Sequence, residues 1–311
     1  MRIYKFFILI FFFFLNYSFR ILERKKAERD IDSNPYYSKD LKEKLLFMRH
    51  GQTDFNADKH IIARRTNIKY IDCQINSKGI KQAISRQAIL NTLSFEKVYV
   101  SPFYRTLQTL TYALSDHPFR ENIVAVVHPL VAEGANCIND YILDIKQNKK
   151  DFNLNSSVKV DWSLFDEYIK GIKYDENFFY FDNFDCFNEK EKQKIYLRLK
   201  ELYDKGNMNK FKIGLSDLAK RRFESKIRFE SLKHLQGRFK KFNEFIRENH
   251  KETLENKDKK IFVVSHGSYM TSGTDMTPYQ SEKIQRFYST CYSPRNCQIL
   301  SYKLLNKLYT I

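Results

Sequence analysis

Leu45-Leu46-Phe47-Met48-Arg49-His50-Gly51-Gln52-Thr53-Asp54-Phe55-Asn56 decides the reading of the fold. Its four consecutive apolar residues are too few for an amphipathic helix and suit a strand buried on both faces. The run then stops abruptly at Arg49-His50-Gly51. Two other segments behave in the same way: Lys97-Val98-Tyr99-Val100 stops at Ser101-Pro102, and Ile261-Phe262-Val263-Val264 stops at Ser265-His266-Gly267. Short, continuous runs rich in β-branched and aromatic residues predict strands of a largely parallel sheet. All three end at polar residues capable of chemistry.

Helical patterns alternate with these runs. Ser77-Lys78-Gly79 opens a stretch with Ile80, Ala83, Ile84 and Ile89 on one side, and Ser101 is expected to cap a helix with Pro102 at its first position. Between Ser231 and Asn249, the residues Leu232, Leu235, Phe239, Phe242 and Ile246 repeat at the spacing of one helical face. The alternation predicts an α/β fold, a three-layer α/β/α sandwich around a mostly parallel sheet. With 311 residues, 42% of them hydrophobic, the chain can bury one full-sized core with residues left for an insertion. The alternation breaks between about 137 and 214, which reads as an inserted cap. That span holds the polar stretch Gln147 to Ser157, the aromatic and acidic run Tyr174 to Phe187, and a helix with Ile195, Leu199 and Leu202 in register that stops at Gly206. Packing of the aromatic run inside the insertion is favoured over a partner surface.

The amino-terminal region reads separately. Arg2 and Lys5 precede the unbroken apolar run Phe6 to Leu15, which is the pattern of a secretory signal. The run is shorter than the ~20 residues a membrane-spanning helix needs, so residues 1–20 are expected to be a signal peptide or, if retained, a signal anchor at a membrane. Residues 21–43 read as a charged linker, and 44–311 as the folded domain that carries the insertion. The expected location is the secretory pathway, where Asn155-Ser156-Ser157 would be a glycosylation acceptor. The five cysteines, Cys73, Cys137, Cys186, Cys291 and Cys297, contain no Cys-x-x-Cys pair, and their odd number leaves at least one thiol outside any bridge within the chain. The net charge of +17 favours anionic ligands. No zinc-ligand spacing, RNP-type aromatic motif or basic zipper accompanies it, so no specific nucleic-acid partner is expected. The runs Arg64-Arg65 and Lys220-Arg221-Arg222 read as solvated faces.

Chemistry concentrates after the first strand. A histidine at a strand's carboxyl end faces the crevice in which α/β proteins bind ligands. Arg49 beside it can grip phosphate oxygens in bidentate fashion, Gly51 permits close backbone approach, and Asn56 can bond a phosphate oxygen or orient a side chain. From this point the sequence resembles the histidine phosphatase superfamily, in its phosphoglycerate-mutase-like branch, whose pattern is Arg-His-Gly-x-x-x-x-Asn. The resemblance continues in order. It runs through Asp72-x-x-Ile75-Asn76-x-x-Gly79-x-x-Gln82-Ala83, through Ser101-Pro102-x-x-Arg105-Thr106-x-Gln108-Thr109, and to Glu133 after His128-Pro129-Leu130. It resumes at Glu230-Ser231 with Arg238, at Val264-Ser265-His266-Gly267, and at Asn296-Cys297-Gln298-Ile299. The second histidine is followed by Gly267, unlike the His-Asp of the acid-phosphatase branch.

The resemblance implies a phosphomonoesterase in which His50 attacks phosphorus and forms a phosphohistidine. Arg49, Asn56, Arg105 and His266 would bind the phosphate, with Arg49, Arg105 and His266 stabilising the transition-state charge. Glu133 is the expected general acid, with Asp140 as the fallback. Thr53 and Ser268 would orient loops, and His128 and His234 read as structural. No metal and no cofactor are expected, and the expected partner is a phosphorylated small molecule or peptide. Two alternatives share these residues: a phosphoglycerate-type mutase, and an inactive family member that binds phosphate or a protein partner.

Overall fold

The computed structural model describes residues 41–255, 258–272 and 294–302. The expected targeting segment, the linker as far as residue 40, and Cys291 lie outside the described residues. The sheet has six strands: β1 (Leu45–Arg49), β2 (Ser94–Val100), β3 (Val124–Val127), β4 (Lys159–Asp161), β5 (Lys259–Ser265) and β6 (Ile299–Ser301). Their order is β4-β3-β2-β5-β1-β6. Every pairing is parallel except that of β6 with β1. The predicted runs mark only the buried ends of these strands. β2 starts three residues before its apolar run because Ser94 and Glu96 face solvent, and continuous burial begins only at Val98.

Period-two alternation divides the strands between two faces. Leu45, Phe47, Tyr99, Val126, Ile261, Val263 and Leu300 share one cluster with Leu235, Phe239, Phe242 and Ile246. Those last four lie on the helix Leu232–Asn249, so the predicted apolar face is the one that meets the sheet. Phe47 stacks on Phe239 with ring centroids 5.6 Å apart. Leu46, Met48, Val98, Val100, Phe262 and Val264 alternate to the opposite side and are buried there. The result is the expected α/β sandwich.

The helices that position the site are numbered in chain order: α1 (Ser77–Ile84), α2 (Tyr104–Ala113), α3 (Ile145–Asn155), α4 (Ser163–Gly171), α5 (Glu189–Asp204), α6 (Met208–Ser225), α7 (Leu232–Asn249) and α8 (Gly267–Ser272). α2 packs along β2 and β5, with α1 against it. α2 does not start where its sequence suggests. It begins at Tyr104 with Phe103 as the capping position. The amide of Tyr104 donates instead to the distant carboxylate of Asp72 at 3.0 Å, which leaves the Ser101 hydroxyl to another partner.

The span 137–214 contributes β4 to the sheet's edge, beside β3. Its polar stretch is largely helix α3, capped by Asp144, whose side chain accepts the amide of Gln147. The aromatic run turns inward. Phe178, Phe179, Tyr180, Phe181 and Phe184 are all buried, and Tyr196 of α5 and Phe211 of α6 close on Phe178 at 5.3 and 5.9 Å. α5 ends at Gly206, whose φ of +68° is the left-handed conformation that favours glycine after a helix. Among the described residues, no helix is long and apolar enough to cross a membrane.

The basic runs are not simply solvated faces. The Arg64 guanidinium donates to the carbonyls of Phe55, Asn56 and Asp58 at 2.8, 3.4 and 2.6 Å, bracing the loop that follows His50. Arg222 is buried. The close approach at Gly51 is likewise structural, since a Cβ there would lie 2.7 Å from the carbonyl oxygen of Gly79. A Cβ on Gly79 would lie 2.3 Å from the carbonyl oxygen of Gln52. The loop after β1 and the start of α1 therefore meet backbone to backbone. Gly79→Ala is expected to destabilise the fold by about 1–3 kcal/mol, the usual cost of overpacking, measured by denaturant unfolding. An unchanged midpoint would mean that the two backbones separate without cost.

Candidate active site

Strand register assembles the site. In the parallel pair β1 and β5, Arg49 is level with Ser265, and the amide of His50 donates to the Ser265 carbonyl at 3.0 Å. In β2, Val100 is level with Val264 of β5, and the amide of Ser101 donates to the Val264 carbonyl. His50, His266 and Ser101 are therefore the first residues past three adjacent strands. The two histidine rings lie 5.3 Å apart, centroid to centroid, edge to face. The Ser101 oxygen is 2.7 Å from Nε2 of His266.

The loop after β1 is held by several of the sequence blocks that follow it. The amide of Gly51 donates to Thr109 Oγ1 at 2.9 Å, and that of Gln52 to Gln82 Oε1 at 2.9 Å. Asn76 caps α1 by accepting the amide of Gly79, and its own amide donates to the Gln52 carbonyl. Thr53 and Asn56 form a reciprocal capping box on the one-turn helix Asp54–Ala57. Asn56 thus supports the His50 loop through its Oδ1. Asn296, not singled out from the sequence as a site residue, donates to the His50 carbonyl at 2.9 Å and toward Asn56 Oδ1 at 3.4 Å.

Arg105 is fully buried in the first turn of α2. Its Nη1 donates to the Asn139 carbonyl at 2.6 Å, and its guanidinium lies 4.5 Å from the Phe103 ring centroid. Its Nε and Nη2, the two nitrogens of its side-on fork, have no hydrogen-bond partner among the described residues. Nδ1 of His266 is buried and equally without a partner there. Unsatisfied donors in such a place cost free energy, and a bound tetrahedral oxyanion would satisfy them. Burial, followed by the charges of Arg105 and Arg49, holds the pKa of His50 well below the ordinary value of 6.5. Burial, Arg105 and His50 do the same to His266. Both rings are neutral at physiological pH, so both retain a lone pair on nitrogen.

Glu133 sits beside the second histidine. Its carboxylate accepts the amides of Gly134 and Tyr269 at 3.0 and 3.1 Å and approaches that of Ser268 at 3.4 Å, at the start of α8. The loop that carries it is clamped from below. Arg238 donates to the carbonyls of Leu130, Ala132 and Glu133, while its Nε and Nη2 grip both oxygens of the buried Glu230 at 2.7 and 2.9 Å. His234 bonds the same carboxylate at 3.0 Å, and His128 accepts the amide of Leu130, so both act in the scaffold. The structure therefore groups Arg49, His50, Arg105 and His266, sets Glu133 next to His266, and leaves Asn56 one layer behind. Among the described residues, no cluster of three or more His, Cys, Asp or Glu side chains could hold a metal ion.

Two outcomes follow from this burial. Removing Arg238 strands Glu230 as a buried charge, so Arg238→Ala should cost about 3–5 kcal/mol in unfolding free energy. A loss below about 1 kcal/mol would show that the clamp is dispensable. The second outcome concerns pH. The folded chain keeps His50, His266 and His128 unprotonated, His128 being pushed by burial to about 3. The unfolded chain binds a proton at each below about 6.5. Stability is thus fully present above 6.5 and is lost as pH falls, by about 2 kcal/mol per histidine on reaching pH 5. Thermal unfolding at pH 7.5 and 5 measures this, and a midpoint that does not drop would contradict it.

The sequence profile of the histidine phosphatase superfamily (branch 1) matches residues 45–129. No curated protein sequence matches the chain. Among solved structures, it is similar to a mycobacterial glucosyl-3-phosphoglycerate phosphatase at 12% identity and a TM-score of 0.40, over 83% of this chain and 89% of that one. It is also similar to a phosphoserine phosphatase from Entamoeba histolytica at 15% identity and a TM-score of 0.36, over 82% and 88% of the two chains. The profile match ends before Glu133 and His266, which the sheet carries to the same end as His50. The segment that the profile matches holds Arg49, His50 and Arg105, so the similarity to the histidine phosphatase superfamily (branch 1) rests on residues of the site itself.

Proposed function

We propose that the protein is a phosphomonoesterase that hydrolyses a phosphate ester through a phosphohistidine at His50. The observation that carries the reading is the buried fork of Arg105, whose Nε and Nη2 have no hydrogen-bond partner among the described residues, at the end of the sheet that holds a neutral histidine. Nδ1 of His50 lies 2.8 Å from the Gly51 carbonyl, an acceptor only, so the proton sits on Nδ1 and the lone pair on Nε2. Nε2 is the nucleophile. In the first step the Nε2–P bond forms as the P–O bond to the leaving group breaks.

His266 has a complementary role. If the Ser101 hydroxyl donates to Nε2, the proton of the neutral ring lies on Nδ1, whose partnerless position then makes it a donor to the phosphoryl oxygens. Arg49 and Arg105 supply fixed positive charge to the same oxygens. Glu133 donates a proton to the leaving oxygen, then takes one from the water that cleaves the phosphohistidine and releases inorganic phosphate. The span 137–214 surrounds the leaving group in this reading, and it already reaches Arg105 through Asn139. The substrate class is a phosphorylated small molecule or peptide.

His50→Ala should lower kcat by on the order of a thousandfold or more and abolish a trapped phosphate label on the chain. Glu133→Gln should lower kcat by about 10²–10⁴ for an ester with a poor leaving group, with much less effect on phosphate binding. A panel of phosphate esters on which the purified chain shows neither turnover nor label would refute the proposal. Return of the phosphate to a second hydroxyl of the organic product, in place of water, would assign a mutase.

A further inference from the structure

The loop at residues 136–140 does something to Arg105 that the proposed chemistry does not use. Its Asn139 carbonyl takes Nη1 at 2.6 Å, and the buried carboxylate of Asp140 stands 3.5 Å from Nη2, on the edge of the fork assigned above to phosphate. Asp140 is fixed there by its other oxygen, which accepts the amides of Cys137 and Asn136 at 2.8 and 3.2 Å. A carboxylate and a phosphate carry charge of the same sign. Placed at one guanidinium edge in a buried setting, they compete for the same field and repel each other.

The surroundings sharpen the competition. From the loop after β3, the charge of Glu133 acts against ionisation of Asp140; from α2, Arg105 favours it; on its own loop, Cys137 and Tyr141 are buried neighbours. Arg222 of α6 acts on Cys137 and Tyr141, and Arg65 on Cys137. Burial first, and then Glu133, pushes the Asp140 carboxyl up to about 8. Its ionisation is thereby shifted out of the usual carboxylate range toward neutral pH.

We propose that Asp140 is a gate on the phosphate seat: ionised, it holds Nη2 of Arg105 and repels an incoming phosphate, and protonated, it yields that edge to the ligand. The inference deepens the phosphatase reading and rests on it. Asp140 is a positioning residue here, acting through Arg105, and the acid role stays with Glu133. Because linkage is reciprocal, phosphate binding must draw a proton onto Asp140 wherever it was ionised.

The test uses the full chain and inorganic phosphate as the probe, titrated calorimetrically at pH 6.5 and 9, beside hydrolysis of p-nitrophenyl phosphate. Phosphate affinity of the wild-type chain should fall by about tenfold between the two pH values, within the span of ordinary linkage couplings. Asp140→Asn keeps an oxygen for the amides of Cys137 and Asn136. It should match the wild-type phosphate affinity at pH 6.5 and bind about tenfold tighter than wild type at pH 9, with KM moving in parallel. A variant that binds phosphate more weakly than wild type at pH 9, or that keeps the wild-type pH profile, overturns the gate in favour of a structural brace. Should the variant not fold, the wild-type chain still decides. At pH 9, enthalpies in two buffers of different ionisation heat must reveal proton uptake with phosphate, and their equality overturns the gate. Phosphate binding with this proton uptake but no ester hydrolysis supports the gate and refutes only the enzymatic reading, because the gate is read from affinity.

Discussion

The parallel pairing of β1 with β5 is the constraint on which the rest depends. With Arg49 level with Ser265, the next residue on each strand is a histidine, and the two rings meet edge to face. A slip of one residue would turn every side chain of β1 to the opposite face, exchanging Phe47 for its neighbours against α7. The apolar contacts on both faces therefore fix the register, and the register fixes the chemistry. Packing far from the site, such as Phe47 on Phe239, is in this sense part of the site's construction.

A second constraint is electrostatic. The site buries the Arg105 guanidinium beside two histidines, and like charge in a dry setting is costly unless one partner gives up its proton. The histidines do so, which leaves each with a nitrogen lone pair and makes neither a further cation. The carboxylates are kept apart by the same logic. Glu230 is consumed by Arg238, Glu133 is lodged on amides at the start of α8, and Asp140 is left at the edge of Arg105. Each acid thus has a different environment.

Much of this was legible in the chain. The strand runs, the face of α7 and the residues Arg49, His50, Arg105, Glu133 and His266 follow from periodicity, strand-end placement and an ordered resemblance, all of which are local in sequence. Where local signals misled, a distant group had intervened. Ser101 looks like a helix cap, yet its hydroxyl goes to His266 while Asp72 takes the amide of Tyr104. Arg64 looks like surface charge, yet three backbone carbonyls nine or fewer residues upstream claim it. Gly51 permits close backbone approach, as expected, and the backbone it meets is that of Gly79.

The sequence by itself determined the sandwich and the ordered family resemblance, because hydrophobic period and motif order are properties of the chain taken a few residues at a time. The tertiary structure alone decided which donors lack partners, that the acid loop hangs from Arg238, and that Asp140 borders the fork of Arg105. These depend on burial and on distances between residues tens to hundreds of positions apart. No one-dimensional pattern encodes them, since dielectric, hydrogen-bond competition and charge repulsion are set only when the chain has closed around them.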